Sequence, residues 1–109
     1  MKSKQVINKG DIVLIPFPFS DLSNSKLRPS LVLGIDASDL MVVFITSNID
    51  DKSHAITLST SEANGIKLKS YIRYSKIASL DIKMSVGKIG KLEADTYDKV
   101  VKKITSFIS

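Results

Sequence analysis

Several residue types are absent or scarce in this 109-residue chain, and each absence excludes a class of site. There is no cysteine, so disulfides, thiolate zinc sites and cysteine nucleophiles are excluded. There is one histidine, His54, which rules out a two-histidine acid/base pair. The longest apolar run, from Ile12 to Phe19, is eight residues broken by two prolines. A transmembrane helix needs about 18–20 apolar residues and is not expected.

The composition is that of a globular protein, and the length predicts one domain over residues 1–109. The charged N-terminus lacks a following apolar segment, so no secretory signal is predicted and a cytoplasmic location is expected. Sixteen basic and eleven acidic residues give a net charge of +5. Residues 67–109 carry ten of the basic and four of the acidic residues. This half of the chain would attract phosphate polyanions, or would simply be a lysine-rich solvated face.

Only two of the sixteen basic residues are arginines, Arg28 and Arg73. In a chain that otherwise uses lysine, an arginine indicates a need for the planar guanidinium. This group binds carboxylate or phosphate at two points and keeps its charge. Both positions are therefore candidate anion-binding residues, although surface arginines remain an alternative.

The first two thirds of the sequence predict β-strands. Runs rich in β-branched residues predict buried strands over 11–16, 30–35 and 40–46, with a turn over 36–39. Shorter strands are predicted over 54–59 and 70–74. In the last of these, Tyr71, Arg73 and Ser75 lie on one face. The first three runs are almost continuously apolar, which favours burial on both faces, as in a small closed barrel. The short segment over 87–91 is predicted as a turn.

The end of the chain predicts a helix from about Glu93. Apolar residues recur at spacings of three and four and form one stripe. They are Tyr97, Val100, Val101, Ile104, Phe107 and Ile108. The fold class expected is α+β, a small SH3-like β-barrel with a C-terminal helix packed on it.

An eleven-residue connection, 17–27, separates the first two core strands and is longer than the usual ~4–6 residues. Long loops of this kind are often functional. Arg28 follows it directly, and Pro29 restricts Arg28 to extended conformations. The prediction is a stiffened loop-to-strand junction that aims the Arg28 side chain reproducibly.

Two segments together, Lys9-Gly-Asp-Ile-Val-Leu-Ile-Pro-Phe-Pro-Phe-Ser-Asp-Leu22 and Lys26-Leu-Arg-Pro-Ser-Leu-Val-Leu33, closely resemble the PemK/MazF-like toxins of type II toxin–antitoxin systems. The likeness continues through Ile45-Thr-Ser47 and Tyr71-Ile-Arg-Tyr-Ser-Lys-Ile77. It implies an SH3-like barrel, usually a homodimer. It also implies an endoribonuclease that needs no metal or other cofactor. Such an enzyme cuts single-stranded RNA at specific sequences and is silenced by a cognate antitoxin.

The resemblance also assigns roles to individual residues. The family's active-site arginine before proline corresponds to Arg28, and its threonine at the end of the third strand corresponds to Thr46. Arg73 matches an arginine that some relatives use, whereas Ser75 replaces their aspartate, so a base role is not carried over. The expected catalytic residues are Arg28 and Thr46. The expected substrate-binding residues are Lys26, Phe19, Ser47, Asn48, Arg73 and Ser75.

These residue types suit RNA cleavage because RNA supplies its own nucleophile, the 2′-OH. An arginine can hold the non-bridging phosphate oxygens, and a threonine can position an oxygen or the hydroxyl. The general acid and base are not assigned, and His54 is expected to be exposed or bonded to the backbone. Tyr71, Tyr74, Phe17 and Phe19 are candidates for stacking on unpaired bases. Phe17 and Phe19 alternate with prolines, and hydrophobic plugs at the mouth of the barrel are the alternative for these two.

Two other functions fit the same sequence. One is a non-catalytic toxin of the same fold that binds a protein such as DNA gyrase. The other is a degenerate relative that binds RNA as a regulator without cutting it.

Overall fold

The computed structural model describes residues 6–17, 26–50 and 52–109. Along the chain they form an antiparallel sheet followed by one helix. The strands are β1 (Asp11–Phe17), β2 (Lys26–Asp36), β3 (Asp39–Thr46), β4 (Ile56–Leu58), β5 (Ser70–Asp81) and β6 (Gly87–Lys91). A 3₁₀ turn spans Ile82–Met84, and the helix α1 spans Ala94–Ile108.

The six strands make one curled sheet, a half-barrel, in the order β4-β5-β3-β2-β1-β6. Every neighbouring pair runs antiparallel. The β2–β3 hairpin turns at Asp36 and Asp39, where the sequence predicts a turn. Within the described residues, no pairing joins the two edge strands, so strand pairing alone does not close the predicted barrel.

The loop after β4 connects the two edges of the sheet instead. The Lys91 N–H donates to the Ala63 carbonyl at 2.9 Å, and the buried Asn64 side chain holds the loop in place. The approach is close enough that a Cβ on Gly90 would collide with the backbone of Ala63 and Asn64. Gly65, at φ +71°, packs directly against the backbone of Ile89. Small residues are therefore required where the edges meet.

Apolar side chains are buried on both faces of the sheet, as predicted. Ile12 and Val13 are adjacent in β1, point to opposite faces, and are both 0% exposed. Ile12 belongs to the core on the α1 side, with Ile45, Ile72 and Val100. Val13 belongs to a second core on the other side of the sheet, which we call the helix-free face. Its other fully buried members are Ile15, Val32, Leu40 and Val42.

Helix α1 covers the sheet with only part of its predicted apolar stripe. Val100 is fully buried, Tyr97 and Ile104 pack against the same core, and the Tyr97 hydroxyl donates to the Leu33 carbonyl at 2.7 Å. The remaining three residues are 38%, 47% and 71% exposed. They are Val101, Phe107 and Ile108. The stripe is therefore wider than the surface it meets.

The predicted strands exist, but several boundaries were wrong. β2 begins at Lys26, so Arg28 lies inside a strand rather than at its junction with a loop. The 70–74 strand continues to Asp81, the 54–59 strand shortens to Ile56–Leu58, and the segment predicted as a turn over 87–91 is strand β6. No helix in the described part of the chain is long and apolar enough to cross a membrane.

Candidate functional site

The site forms where strands β2 and β3 separate. Their pairing runs only as far as Ser30 opposite Phe44. Before that point β2 pairs only with β1, and beyond it Ile45 and Thr46 pair only with β5. Pro29 lies where the pairing stops, and a proline removes one backbone donor from a ladder. The parting strands leave a gap with Arg28 on one side and Thr46 on the other.

The register places the candidate polar side chains on one face of the sheet. Paired residues in antiparallel strands share a face, and alternate residues of a strand return to it. Ile45 and Ile72 point into the core on the α1 side, so their neighbours point to the helix-free face. At the gap, the side chains on this face are those of Arg28, Ser30, Phe44, Thr46, Tyr71 and Arg73.

Two cavities open at the gap and share a wall made by Arg28, Ile45 and Thr46. The first, of about 280 Å³, is mainly apolar and is also lined by Leu14, Leu27, Pro29, Ser47, Gly65, Ile66, Lys67, Leu68, Ser70 and Ile89. The second, of about 490 Å³, is also lined by Phe44, Arg73, Lys76 and Ile77. We call them the apolar cavity and the cationic cavity. Among the described residues, no carboxylate lines either one.

Arg28 is half-buried, and its Nε atom is buried without a hydrogen-bond partner in the described part of the chain. A buried donor without a partner costs about 1–3 kcal/mol, and more when it is charged. Such a cost is tolerated at sites where a ligand supplies the missing acceptor. Arg28 is therefore ready to receive an anion, with both cavities open to its side chain.

The hydroxyl of Thr46 is held in place by the turn that follows β3. Its Oγ1 donates to the Asn48 carbonyl at 3.0 Å and accepts from the Asn48 N–H at 3.2 Å. A hydroxyl has one proton and two lone pairs, so one lone pair stays available. Thr46 is thus arranged to accept a further hydrogen bond, rather than to donate one, unless its bond to Asn48 breaks.

A bulge in β5 brings two further cations to the site. Ile72 pairs with Ile45, but the next pair is Ile77 with Val43, so residues 73–76 of β5 stand opposite one residue of β3. Bulges redirect side chains and often occur beside functional sites. Here Arg73 and Lys76 both line the cationic cavity.

A family model of the "PemK-like, MazF-like toxin of type II toxin-antitoxin system" matches residues 8–108. The chain belongs to this family. No curated relative matches the sequence.

Solved structures of two MazF proteins and of one endoribonuclease share the fold of this PemK/MazF-like family member. A MazE–MazF crystal structure from Deinococcus radiodurans matches at a TM-score of 0.79 and 20% identity, over 96% of this chain and 97% of that one. An endoribonuclease in complex with its cognate antitoxin, from a mycobacterial species, matches at 0.72 and 13%, over 96% and 95%. Mycobacterium tuberculosis toxin MazF-mt6 matches at 0.69 and 17%, over 90% and 95%.

The structure brings together only part of the predicted site. Arg28, Thr46, Ser47 and Arg73 line the cavities, and Asn48 contacts Thr46 through its backbone. Two predicted residues line neither of these cavities: Lys26 is exposed at the start of β2, and Ser75 lies in the bulge of β5. Phe19 falls outside the described residues.

Two lysines were missed by the sequence analysis. Lys67 lines the apolar cavity and Lys76 the cationic cavity. Lys76 lies two residues beyond the predicted end of its strand, so the predicted strand assigns it to no face of the sheet. The sequence feature that could have identified Lys76 is its position between Tyr74 and Ile77, within a segment that carries the family resemblance.

The histidine lies in a different part of the molecule. His54 is exposed, as expected, and its ring contacts Phe107 at 4.8 Å and Tyr74 at 6.0 Å between centroids. These residues line a separate cavity of about 430 Å³ beside the end of α1. Neither cavity at the gap is lined by an imidazole. Within the described residues there is also no cluster of three or more metal-ligating side chains.

Proposed function

We propose that this chain is an endoribonuclease that cuts single-stranded RNA at specific sequences without a metal, as the toxin of a type II toxin–antitoxin system. One observation carries the proposal. Arg28 has a buried Nε without a partner and shares the walls of two cavities with Thr46. Membership of the PemK/MazF-like family supports it.

The reaction needs little from the protein beyond positioning and charge stabilisation. The 2′-oxygen of one ribose attacks phosphorus, a bond from the 2′-oxygen to phosphorus forms, and the bond from phosphorus to the 5′-oxygen breaks. The products are a 2′,3′-cyclic phosphate and a 5′-hydroxyl. Negative charge grows on the non-bridging oxygens as the attack proceeds. Arg28 stabilises that charge with hydrogen bonds from its guanidinium.

Thr46 positions the nucleophile. Its available lone pair accepts the hydrogen bond of the 2′-hydroxyl and holds that hydroxyl in line with the leaving oxygen. The bond between Thr46 and the Asn48 backbone keeps the threonine rotamer fixed during this step. Arg73 and Lys76 raise the positive potential of the cationic cavity, where the neighbouring phosphate of the RNA lies.

Proton transfer is the weak part of this site. Arginine holds its proton far too strongly to be an effective general acid at neutral pH. The described cavity walls offer no imidazole or carboxylate, so we assign both proton transfers to water. The resulting enzyme is slow, which is sufficient for a toxin whose effect comes from damage rather than flux.

The finer family properties extend the same proposal. We propose one domain over residues 1–109, an SH3-like barrel that works as a homodimer in the cytoplasm. A cognate antitoxin neutralises it by covering the cationic cavity with acidic residues. Charge complementarity supports this, since Arg28, Arg73 and Lys76 line that cavity without a described acidic residue.

The test is cleavage of a long single-stranded RNA by the purified chain in EDTA. Wild type should cut the RNA, Arg28→Ala should not, and Lys99→Ala should cut like wild type, since Lys99 lies exposed on α1 away from both cavities. RNA that stays intact while induced cells accumulate trapped DNA–topoisomerase complexes would replace the proposal with gyrase poisoning. Binding without cutting on many RNA sequences would indicate a degenerate regulator.

A further inference from the structure

Tyr71 lies next to Thr46 on the helix-free face, outside both cavities. Thr46 of β3 pairs directly with Tyr71 of β5, and Tyr71 pairs in turn with Thr57 of β4. Side chains of directly paired residues have Cβ atoms about 4.5–5.5 Å apart. Because β5 pairs with a strand on each side here, the backbone of Tyr71 is held in place, and its half-buried side chain starts from a Cβ beside that of Thr46.

A cation covers the ring of Tyr71. The Nζ atom of the exposed Lys52 lies 5.0 Å from the ring centroid. A lysine at such a site contributes only about 0.5–1 kcal/mol, because its ammonium group is well hydrated. The contact can therefore be exchanged for a stronger one, and the lysine remains nearby after it moves.

Resting on the proposed function, we infer that Tyr71 is the stacking platform for the nucleobase that adjoins the scissile phosphate. The base displaces Lys52 from the ring, and the Lys52 ammonium then pairs with the phosphate of that same nucleotide. Tyr71 is thus a substrate-positioning residue, and Lys52 is a movable phosphate ligand.

The surrounding charges favour a nucleotide as the occupant. Proteins that bind single strands combine aromatic platforms with cations that follow the backbone. Around Tyr71 the cations are Arg28 across Thr46, Arg73 two residues along the same face, and Lys52 above the ring. Stacking tolerates any base, so Tyr71 sets the position of the strand and not its sequence.

The experiment measures RNA binding after the cleaved phosphodiester bond has been identified. The cleaved bond is first mapped on a long RNA, and a short RNA centred on it is made with 2′-deoxyribose at the attacking nucleotide, which removes the nucleophile. A series of RNAs with the same sequence is also made, and each member carries a single abasic site at a different position. Affinity is measured by fluorescence anisotropy at a fixed salt concentration for wild type, Tyr71→Phe and Tyr71→Leu.

Wild type should lose affinity by about 5- to 100-fold for the RNA that is abasic at one nucleotide adjoining the mapped bond. Tyr71→Leu should bind the intact RNA about 5- to 100-fold more weakly and the abasic RNA as wild type does. Tyr71→Phe should match wild type on both. Equal losses for Tyr71→Leu on intact and abasic RNA, or no loss on either, would overturn the inference.

Lys52→Ala tests the second part. The Lys52→Ala variant should show a shallower slope of log affinity against log salt concentration, by about the amount that one phosphate contact contributes. The ratio of its affinities for intact and abasic RNA should equal that of wild type. An unchanged slope would exclude the phosphate contact. The two proposals fail separately: wild type that neither cuts nor binds RNA refutes the nuclease assignment. Wild type that cuts RNA but binds equally well when either adjoining base is missing refutes only the role of Tyr71.

Discussion

Replacing Arg28 by methionine separates the function of this residue from its contribution to folding. Methionine keeps an unbranched apolar side chain against the walls of the gap and removes the guanidinium. In the structure, Arg28 is half-buried and its Nε has no partner among the described residues. The guanidinium is therefore expected to support activity and to lower the stability of the fold.

The expected magnitudes follow from that geometry. An unpaired buried donor costs about 1–3 kcal/mol, part of which Arg28→Met should recover. We expect the free energy of unfolding to be unchanged or to rise by about 1 kcal/mol. Losing a positioned donor to a developing oxyanion lowers rates by about 100- to 1,000-fold. Arg28→Lys keeps the charge without the two-point fork and should lie between wild type and Arg28→Met in rate.

The assay pairs urea denaturation with single-turnover RNA cleavage, and Lys99→Met on α1 serves as the control for losing one positive charge. Compared with chloride at the same ionic strength, inorganic phosphate should raise the urea midpoint of unfolding for wild type but not for Arg28→Met. A loss of more than about 1 kcal/mol in Arg28→Met would mean that Arg28 holds the fold together, and the reasoning would fail.

Three further predictions address other parts of the molecule. His54→Phe keeps the ring contacts and should leave cleavage rates within about twofold of wild type at pH 6 and pH 8; a tenfold fall would place the imidazole in the reaction. Gly90→Ala should lower the free energy of unfolding, measured by urea denaturation, by about 1–3 kcal/mol, whereas Gly34→Ala, with open space around it, should not. Burial, and then Asp98, raise the pKa of Tyr97, so its contribution to stability is present below pH 10 and is lost as pH rises further. Tyr97→Phe should cost about 1 kcal/mol at pH 7 and lose less stability than wild type above pH 10.

Local patterns were sufficient to predict the central strands and the helix. The β-branched runs of β1 and β3 have buried neighbours on both faces, so few alternatives to a strand exist. Helix α1 follows from apolar spacing of three and four residues. The exposure of half of its apolar stripe could not be predicted, because the width of the sheet surface beneath the helix depends on the tertiary structure.

The long strand β5 was missed beyond Tyr74 for a different reason. Its bulge places four residues opposite one, so alternation is lost where Arg73 and Lys76 enter the site. The path of β2 through Pro29 was also unexpected, because a proline in a sheet is usually confined to an edge strand, the first residue of a strand or a bulge. The sequence therefore predicted Arg28 and Thr46 through the family resemblance, but it did not predict the parting of β2 and β3 that opens the cavities between them.

A double-mutant cycle on Arg28 and Thr46 tests most directly whether the two side chains act on the same phosphodiester. Single-turnover rates on one mapped RNA in EDTA are compared for wild type, Arg28→Ala, Thr46→Val and the double variant. Groups that act on the same transition state are coupled, so the double variant should lose much less than the product of the two single losses. Losses that simply multiply would show that the two side chains act independently, and this would contradict the account.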